Sequence, residues 1–161
     1  MKIAIVGPAG AGKSTVSKIF EKAGMTVIEC DKVVHRAYEN NVEIRDFLRE
    51  NCINAFAEDG QTVDRKVLGR ILFNSPCLKR DLEDLLHEFV FVPLFEKLKD
   101  NYVVDGVMPR FVKEGYDQVI YVHVPENERR RRLRHRGVNE ERISDIMIAQ
   151  NEMFRDPINW R

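Results

Sequence analysis

Residues 7–14 read GPAGAGKS, a full match to G-x-x-x-x-G-K-[ST], and this short segment leaves few folds open to the chain around it. Such a loop works only where a strand delivers it and a helix carries it away. The run KIAIV at 2–6 stops at Gly7, as a buried parallel strand does. KSTVSKIFEKAG follows, with Val16, Ile19, Phe20 and Ala23 at helical spacing and Gly24 as the stop. MTVIEC then predicts a second strand, which completes a βαβ unit of about thirty residues.

The loop's chemistry follows from its residue types. Gly7, Gly10 and Gly12 let the backbone curl, so that N–H groups from Gly7 through Ala9, Ala11, Lys13, Ser14 and Thr15 face a triphosphate. The amino end of the next helix adds its positive dipole. Lys13 is placed to reach the β- and γ-phosphates, and the Ser14 hydroxyl to meet Mg²⁺. The sequence therefore predicts a site for a nucleoside triphosphate such as ATP.

The middle of the chain carries helical patterns: Ile44, Phe47 and Leu48; Val67, Leu68, Ile71 and Leu72; Leu78, Leu82, Leu85, Leu86 and Phe89. Pro93 is expected to kink or restart the last of these. NYVVDG (101–106) and DQVIYVHV (117–124) return to strand character, and Asn139 is placed to cap a final helix bearing Ile143, Ile146 and Met147. Strands separated by helices in 161 residues argue for a single α/β domain, three α/β/α layers around a mostly parallel sheet.

Composition narrows the partners. Lys plus Arg and Asp plus Glu are 26 each, so no net field draws the chain to nucleic acid or a membrane. The arginine run in PENERRRRLRHR lacks interleaved aromatics for base stacking and covers most sides of one helix. Most of its members are expected to pair with Glu126, Glu128, Glu140 and Glu141, with one or two aimed at phosphate. Cys30, Cys52 and Cys77 form neither a disulfide framework nor a zinc pattern and read as reduced core filler. No signal-peptide pattern and no stretch of about 20 apolar residues stands out, so the expectation is a cytoplasmic protein.

The Asn-Lys-x-Asp motif of GTPases is missing, and VVDG offers only Asp105 where motor ATPases end a strand in Asp-Glu. A short chain with acids closing its second strand and arginines on a late helix fits small-molecule kinases. With those residues in view, the chain resembles the dephospho-CoA kinase family. The likeness runs from residue 1 to about 150, through the P-loop, VIECDKVVHRA, EDGQTVDRKVLGRILFNSP, LEDLLHEFV and RISDIMIAQ.

The resemblance implies ATP- and Mg²⁺-dependent phosphorylation of the ribose 3′-hydroxyl of dephospho-CoA. Asp31 falls on the family's general base, Arg65 and His87 on acceptor-binding positions, and Arg131 on the lid arginine that closes over the transferring phosphate. Residues from about 33 to 100 would form a helical acceptor-side region and about 126 to 150 the lid. The expected partners are small molecules, without nucleic acid or membrane, on a monomer or small homo-oligomer. Glu29 stands where the family's first Asp is usual, GVMPRFVKEG replaces P-L-L-F-E, and Glu88 follows His87 in place of Pro. No counterpart of the family's last strand and adenine-contacting Asn-x-Gly loop precedes Arg161, so the expectation is either a differently built base pocket or a shortened member.

Plainer readings stand beside these. Asp31 could cap the helix near Lys32, His87 could be packed in a leucine-rich helix, Arg65 could be a surface ion-pair partner, and Asp105 could bind water at Mg²⁺ or simply end a strand. At the level of function the rivals are a nucleoside or nucleoside-monophosphate kinase and a nucleotide-binding regulatory protein without turnover.

Overall fold

Four strands, β1 (Lys2–Val6), β2 (Thr26–Glu29), β3 (Tyr102–Asp105) and β4 (Gln118–Tyr121), pair into one wholly parallel sheet in the order β2-β3-β1-β4. The structure is a computed structural model that describes residues 1–108, 111–112 and 115–155. Pro109, Arg110, Lys113 and Glu114 of the GVMPRFVKEG segment, and residues 156–161, lie outside the described residues.

The central strands are apolar on both faces, as a covered parallel sheet requires. Ile3, Ile5 and Val103 form a buried cluster on which Val16, Phe20, Met25, Val27, Ile120 and Val122 pack. The helix after the loop, α1 (Lys13–Lys22), meets the sheet through Val16 and Phe20. Its buried face differs from the expected one: Ile19 is 63% exposed and Ala23 is exposed, while Ser17 is buried. Val16 and Ser17 each lie about one turn from Phe20, and Ser17 turns inward because a buried carboxylate on β3 accepts its hydrogen bond.

Two compact units divide the chain, residues 1–30 with 100–161, and residues 31–99. The first holds the sheet, α1, and the late helices α7 (Glu126–His135) and α8 (Glu140–Met153). Asn139 caps α8 as anticipated, its Oδ1 accepting from Arg142 N at 2.8 Å. Beneath these two helices Leu133, Ile143 and Met147 form a second buried cluster.

The second unit holds α2 (Cys30–Asn40, from its second residue), α3 (Val42–Asn51), α4 (Arg65–Asn74), α5 (Pro76–Leu86) and α6 (Val92–Leu98). Ile44, Leu48, Leu68, Leu82 and Leu86 form the apolar interior of these helices. Between α5 and α6 the chain makes one π turn, His87–Phe91. Pro93 lacks the N–H that an α-helix would need there and its ring crowds the preceding turn, so the widened turn precedes a restarted helix.

Three details depart from the sequence reading. Cys30 is the first residue of α2 and not the last of β2. β4 ends at Tyr121, short of Val124. Of the three free cysteines only Cys52 is buried, Cys77 being exposed on the first turn of α5. Among the described residues no helix is long and apolar enough to cross a membrane.

Candidate active site

The loop from Gly7 to Gly12 leaves the carboxyl end of β1 and delivers the chain to α1. Gly7 has φ +151°, and a Cβ there would collide with the Val122 carbonyl of the chain leaving β4. Gly10 has φ +79°, and a Cβ on it would stand 3.1 Å from the Arg129 carbonyl oxygen. The glycines thus serve both the curl and the close approach of neighbouring backbone.

α1 begins without a side-chain cap and without an acidic residue in its first turn, so the positive end of its dipole is left to an anion. Lys13 Nζ donates to the loop's own carbonyls, Gly7 at 2.9 Å and Pro8 at 3.4 Å, which keeps the ammonium within the loop. Ser14 and Thr15 are exposed at the start of the helix.

Strand register then brings two acids to the same end of the sheet. Asp105 is opposite Ile5 on one side and Glu29 on the other. Asp105 is buried, and its Oδ2 accepts from Ser17 Oγ at 2.8 Å. Magnesium takes oxygen ligands and usually keeps several waters beside one or two carboxylates and the substrate's phosphates. The Ser14 hydroxyl with the Asp105 and Glu29 carboxylates is a donor set of that chemistry.

α7 lies directly against the loop, and two of its arginines, Arg129 and Arg132, reach it. Arg129 shares the inward face with Leu133, and both are buried. Its Nε donates to Ala9 O at 3.0 Å and its Nη2 to Gln150 Oε1 at 3.0 Å. Burial pushes its pKa down, while Glu126 pulls it the other way. Arg132 Nη1 donates to Gly10 O at 3.2 Å and Ala11 O at 3.0 Å.

Arg131 points elsewhere: its side chain is 67% exposed and forks onto Glu128 at 2.7 and 2.8 Å. Glu128 also accepts from Arg132 Nε at 2.7 Å, and hydrogen bonds from these two arginines hold its carboxyl down to about 2. Arg130 pairs with Glu126 and Arg134 with Glu140, as expected for most of the run.

Asp31, Arg65 and His87 belong to the 31–99 unit. Asp31 is the second residue of α2, inside its first turn, so it does not occupy the cap position. It is exposed, and His35 lies one turn further along the same face. Arg65 opens α4 after the Asp64 cap, and its Nη1 stands 2.7 Å from His35 Nδ1 and 2.8 Å from Nε2. The guanidinium therefore donates to the imidazole of the face that bears Asp31.

Tyr38, seven residues after Asp31, has its phenol pushed up to about 12, by burial first and then by the charge of Glu83, Cys52 and Asp31. His87 is half-buried and opens the π turn. Sequence reasoning passed over Arg129, Arg132, Gln150 and His35. For the first of these a signal existed, because Leu133 is the lone apolar residue of the arginine run and marks its inward face.

A family model described as dephospho-CoA kinase matches residues 1–155. The dephospho-CoA kinase of Aquifex aeolicus is 28% identical over 148 residues, 87% of this chain and 75% of that protein. That of Mesorhizobium japonicum is 32% identical over 159 residues, 92% and 78%. A Thermus thermophilus protein of solved crystal structure superposes with a TM-score of 0.73 at 29% identity, over 92% of this chain and 79% of that one. The fold is the α/β/α P-loop kinase fold.

Proposed function

The chain belongs to the dephospho-CoA kinase family, and from that premise we propose how its residues divide the work of moving the γ-phosphoryl group of ATP to the 3′-hydroxyl of dephospho-CoA. The observation that carries the reading is a P-loop with Lys13 folded into it, in front of a helix start left uncapped for an anion. The nucleoside and nucleoside-monophosphate kinase readings, and the regulatory one, are not favoured by the family match.

Asp31 takes the proton of the attacking 3′-hydroxyl. The oxygen–phosphorus bond forms as the bond from the γ-phosphorus to its bridging oxygen breaks, and ADP leaves. The carboxylate is available for this because it sits past the cap position, on an exposed helix face. Arg65 and His87 bind the acceptor, with His35 holding the Arg65 guanidinium. The 31–99 unit is the acceptor-side region and α7 with α8 the lid.

The loop's N–H groups and Lys13 hold the nucleotide phosphates. Arg132, whose guanidinium reaches the loop, and Arg131, which the resemblance implies and which would have to leave Glu128, are the lid's cations for them. Ser14, with Asp105 and Glu29, would hold magnesium, which supplies charge neutralisation at the transferring phosphoryl group. A monomer or small oligomer in the cytoplasm completes the reading.

The test is a panel of acceptors incubated with the protein and magnesium ATP. ADP release stimulated by dephospho-CoA, and not by nucleosides or nucleoside monophosphates, is the expected result. Stimulation by a nucleoside or nucleotide alone overturns it.

A further inference from the structure

Ala9, near the crest of the P-loop, is tied on every side to helices more than a hundred residues away. Its N–H donates to Gln150 Oε1 at 2.7 Å. Its carbonyl accepts from Arg129 Nε at 3.0 Å, and Arg129 Nη2 donates to the same Gln150 oxygen at 3.0 Å, which closes a ring of three hydrogen bonds. Arg129 Nη1 stands 3.4 Å from Asn151 Oδ1. The Ala9 methyl packs on the Leu133–Ile143–Met147 cluster beneath α7 and α8.

Two physical points make this more than packing. Both groups facing Gln150 are donors, so only its carbonyl oxygen can be turned toward them, and a side chain without an acceptor cannot replace it. Arg129 is 5% exposed, and its hydrogen bonds to Ala9, Gln150 and Asn151 run to neutral carbonyl oxygens. Burying a guanidinium in this way is costly as a device for stability alone.

We propose that Arg129 and Gln150 are positioning residues for nucleotide binding: they fix the Ala9 peptide, and through it the curvature of the phosphate loop. Nucleotide affinity is then set partly by α7 and α8, with neither side chain touching the nucleotide. The proposal rests on the P-loop reading of the site but not on the identity of the acceptor.

Gln150→Leu, Gln150→Glu and Arg129→Lys test it. ADP dissociation constants from calorimetry are compared with KM for ATP, KM for dephospho-CoA, kcat and the melting temperature. Gln150→Leu should weaken ADP and raise KM for ATP in step, by about tenfold, the size of one lost hydrogen bond to a charged group. KM for dephospho-CoA should stay within about twofold, since no acceptor contact is altered.

Gln150→Glu keeps the acceptor oxygen and should recover most of the ADP affinity. If Gln150→Leu does not fold, Arg129→Lys keeps the charge, loses the fork and should show the same split in milder form. ADP affinity within twofold of wild type in the variant that folds, whatever its melting temperature, overturns the proposal. So does a glutamate variant as weak as the leucine one. Wild-type protein that binds ADP but ignores dephospho-CoA would sink the functional reading while this test still stands.

Discussion

Asp31 shows how one residue's place in a helix can separate two jobs that its chemistry leaves open. A cap must stand at the helix boundary, and α2 already begins at Cys30. Removing its charge should therefore cost catalysis and not folding. Asp31→Asn should lower kcat by about 10²- to 10⁴-fold, the usual worth of a general base, with ADP affinity and melting temperature unchanged. A variant that melted earlier at full kcat would restore the structural explanation. Ser17 is the opposite case, a polar residue whose task is internal. It is buried in α1 and donates to the buried Asp105 carboxylate at 2.8 Å. Ser17→Ala leaves that carboxylate short of a donor and should cost about 1–3 kcal/mol in urea unfolding. A loss below half a kcal/mol, read against the desolvation cost of a carboxylate, would mean that water replaces the hydroxyl.

At the scale of elements, α7 is where the sequence was hardest to read. Four consecutive arginines look alike in one dimension, and the P-loop partners of Arg129 and Arg132 lie some 120 positions away. Helical phase separates two of them: at 3.6 residues per turn, Arg129 lies about 40° from the inward Leu133 and Arg131 about 160° from it. The same phase argument misleads on α1, where Ile19 fits the apolar stripe but Ser17 has the buried partner. Two predictions follow for α7. Arg132→Ala should raise KM for ATP more than Arg131→Ala, because only Arg132 reaches the Gly10 and Ala11 carbonyls. The pairs on Glu128 carry a pH signature. Its carboxyl is held near 2 against an ordinary 4.5, so the folded protein binds fewer protons there than the unfolded chain. The contribution is fully present above 4.5 and is lost as pH falls toward 2. The gap in urea midpoint between wild type and Glu128→Gln should narrow steadily from about pH 5 to pH 3, and added salt should narrow it at any pH because the pairs are partly exposed. A gap that did not change with pH would mean that Glu128 acts through packing.

Over the whole molecule, the P-loop and the alternation of strands and helices made the parallel sheet legible, because both are local signals. The partition of the chain is not local: it leaves the first unit at Cys30 and returns at Asp100. Each unit has its own buried apolar residues, the Ile3, Ile5 and Val103 cluster in the sheet and Ile44, Leu48, Leu68 and Leu82 among the 31–99 helices. Separate cores predict separate opening, which nucleotide can reveal. ADP held by the P-loop stabilises whatever must stay folded to bind it, by about 2.7 kcal/mol or a hundredfold at one hundred times its dissociation constant. Cys52 reports on the other unit. It is 2% exposed, and burial raises its thiol pKa, so it reacts only when the 31–99 helices open. With the exposed Cys77 and half-buried Cys30 replaced by serine, modification of Cys52 can be followed alone. Saturating ADP should slow hydrogen exchange at Val103 and Val104 in β3 by up to that hundredfold, while the Cys52 rate changes by less than about threefold. If Cys52 were protected as strongly as the sheet, opening of the acceptor-side helices would require loss of the nucleotide site, and the chain would unfold as one cooperative whole.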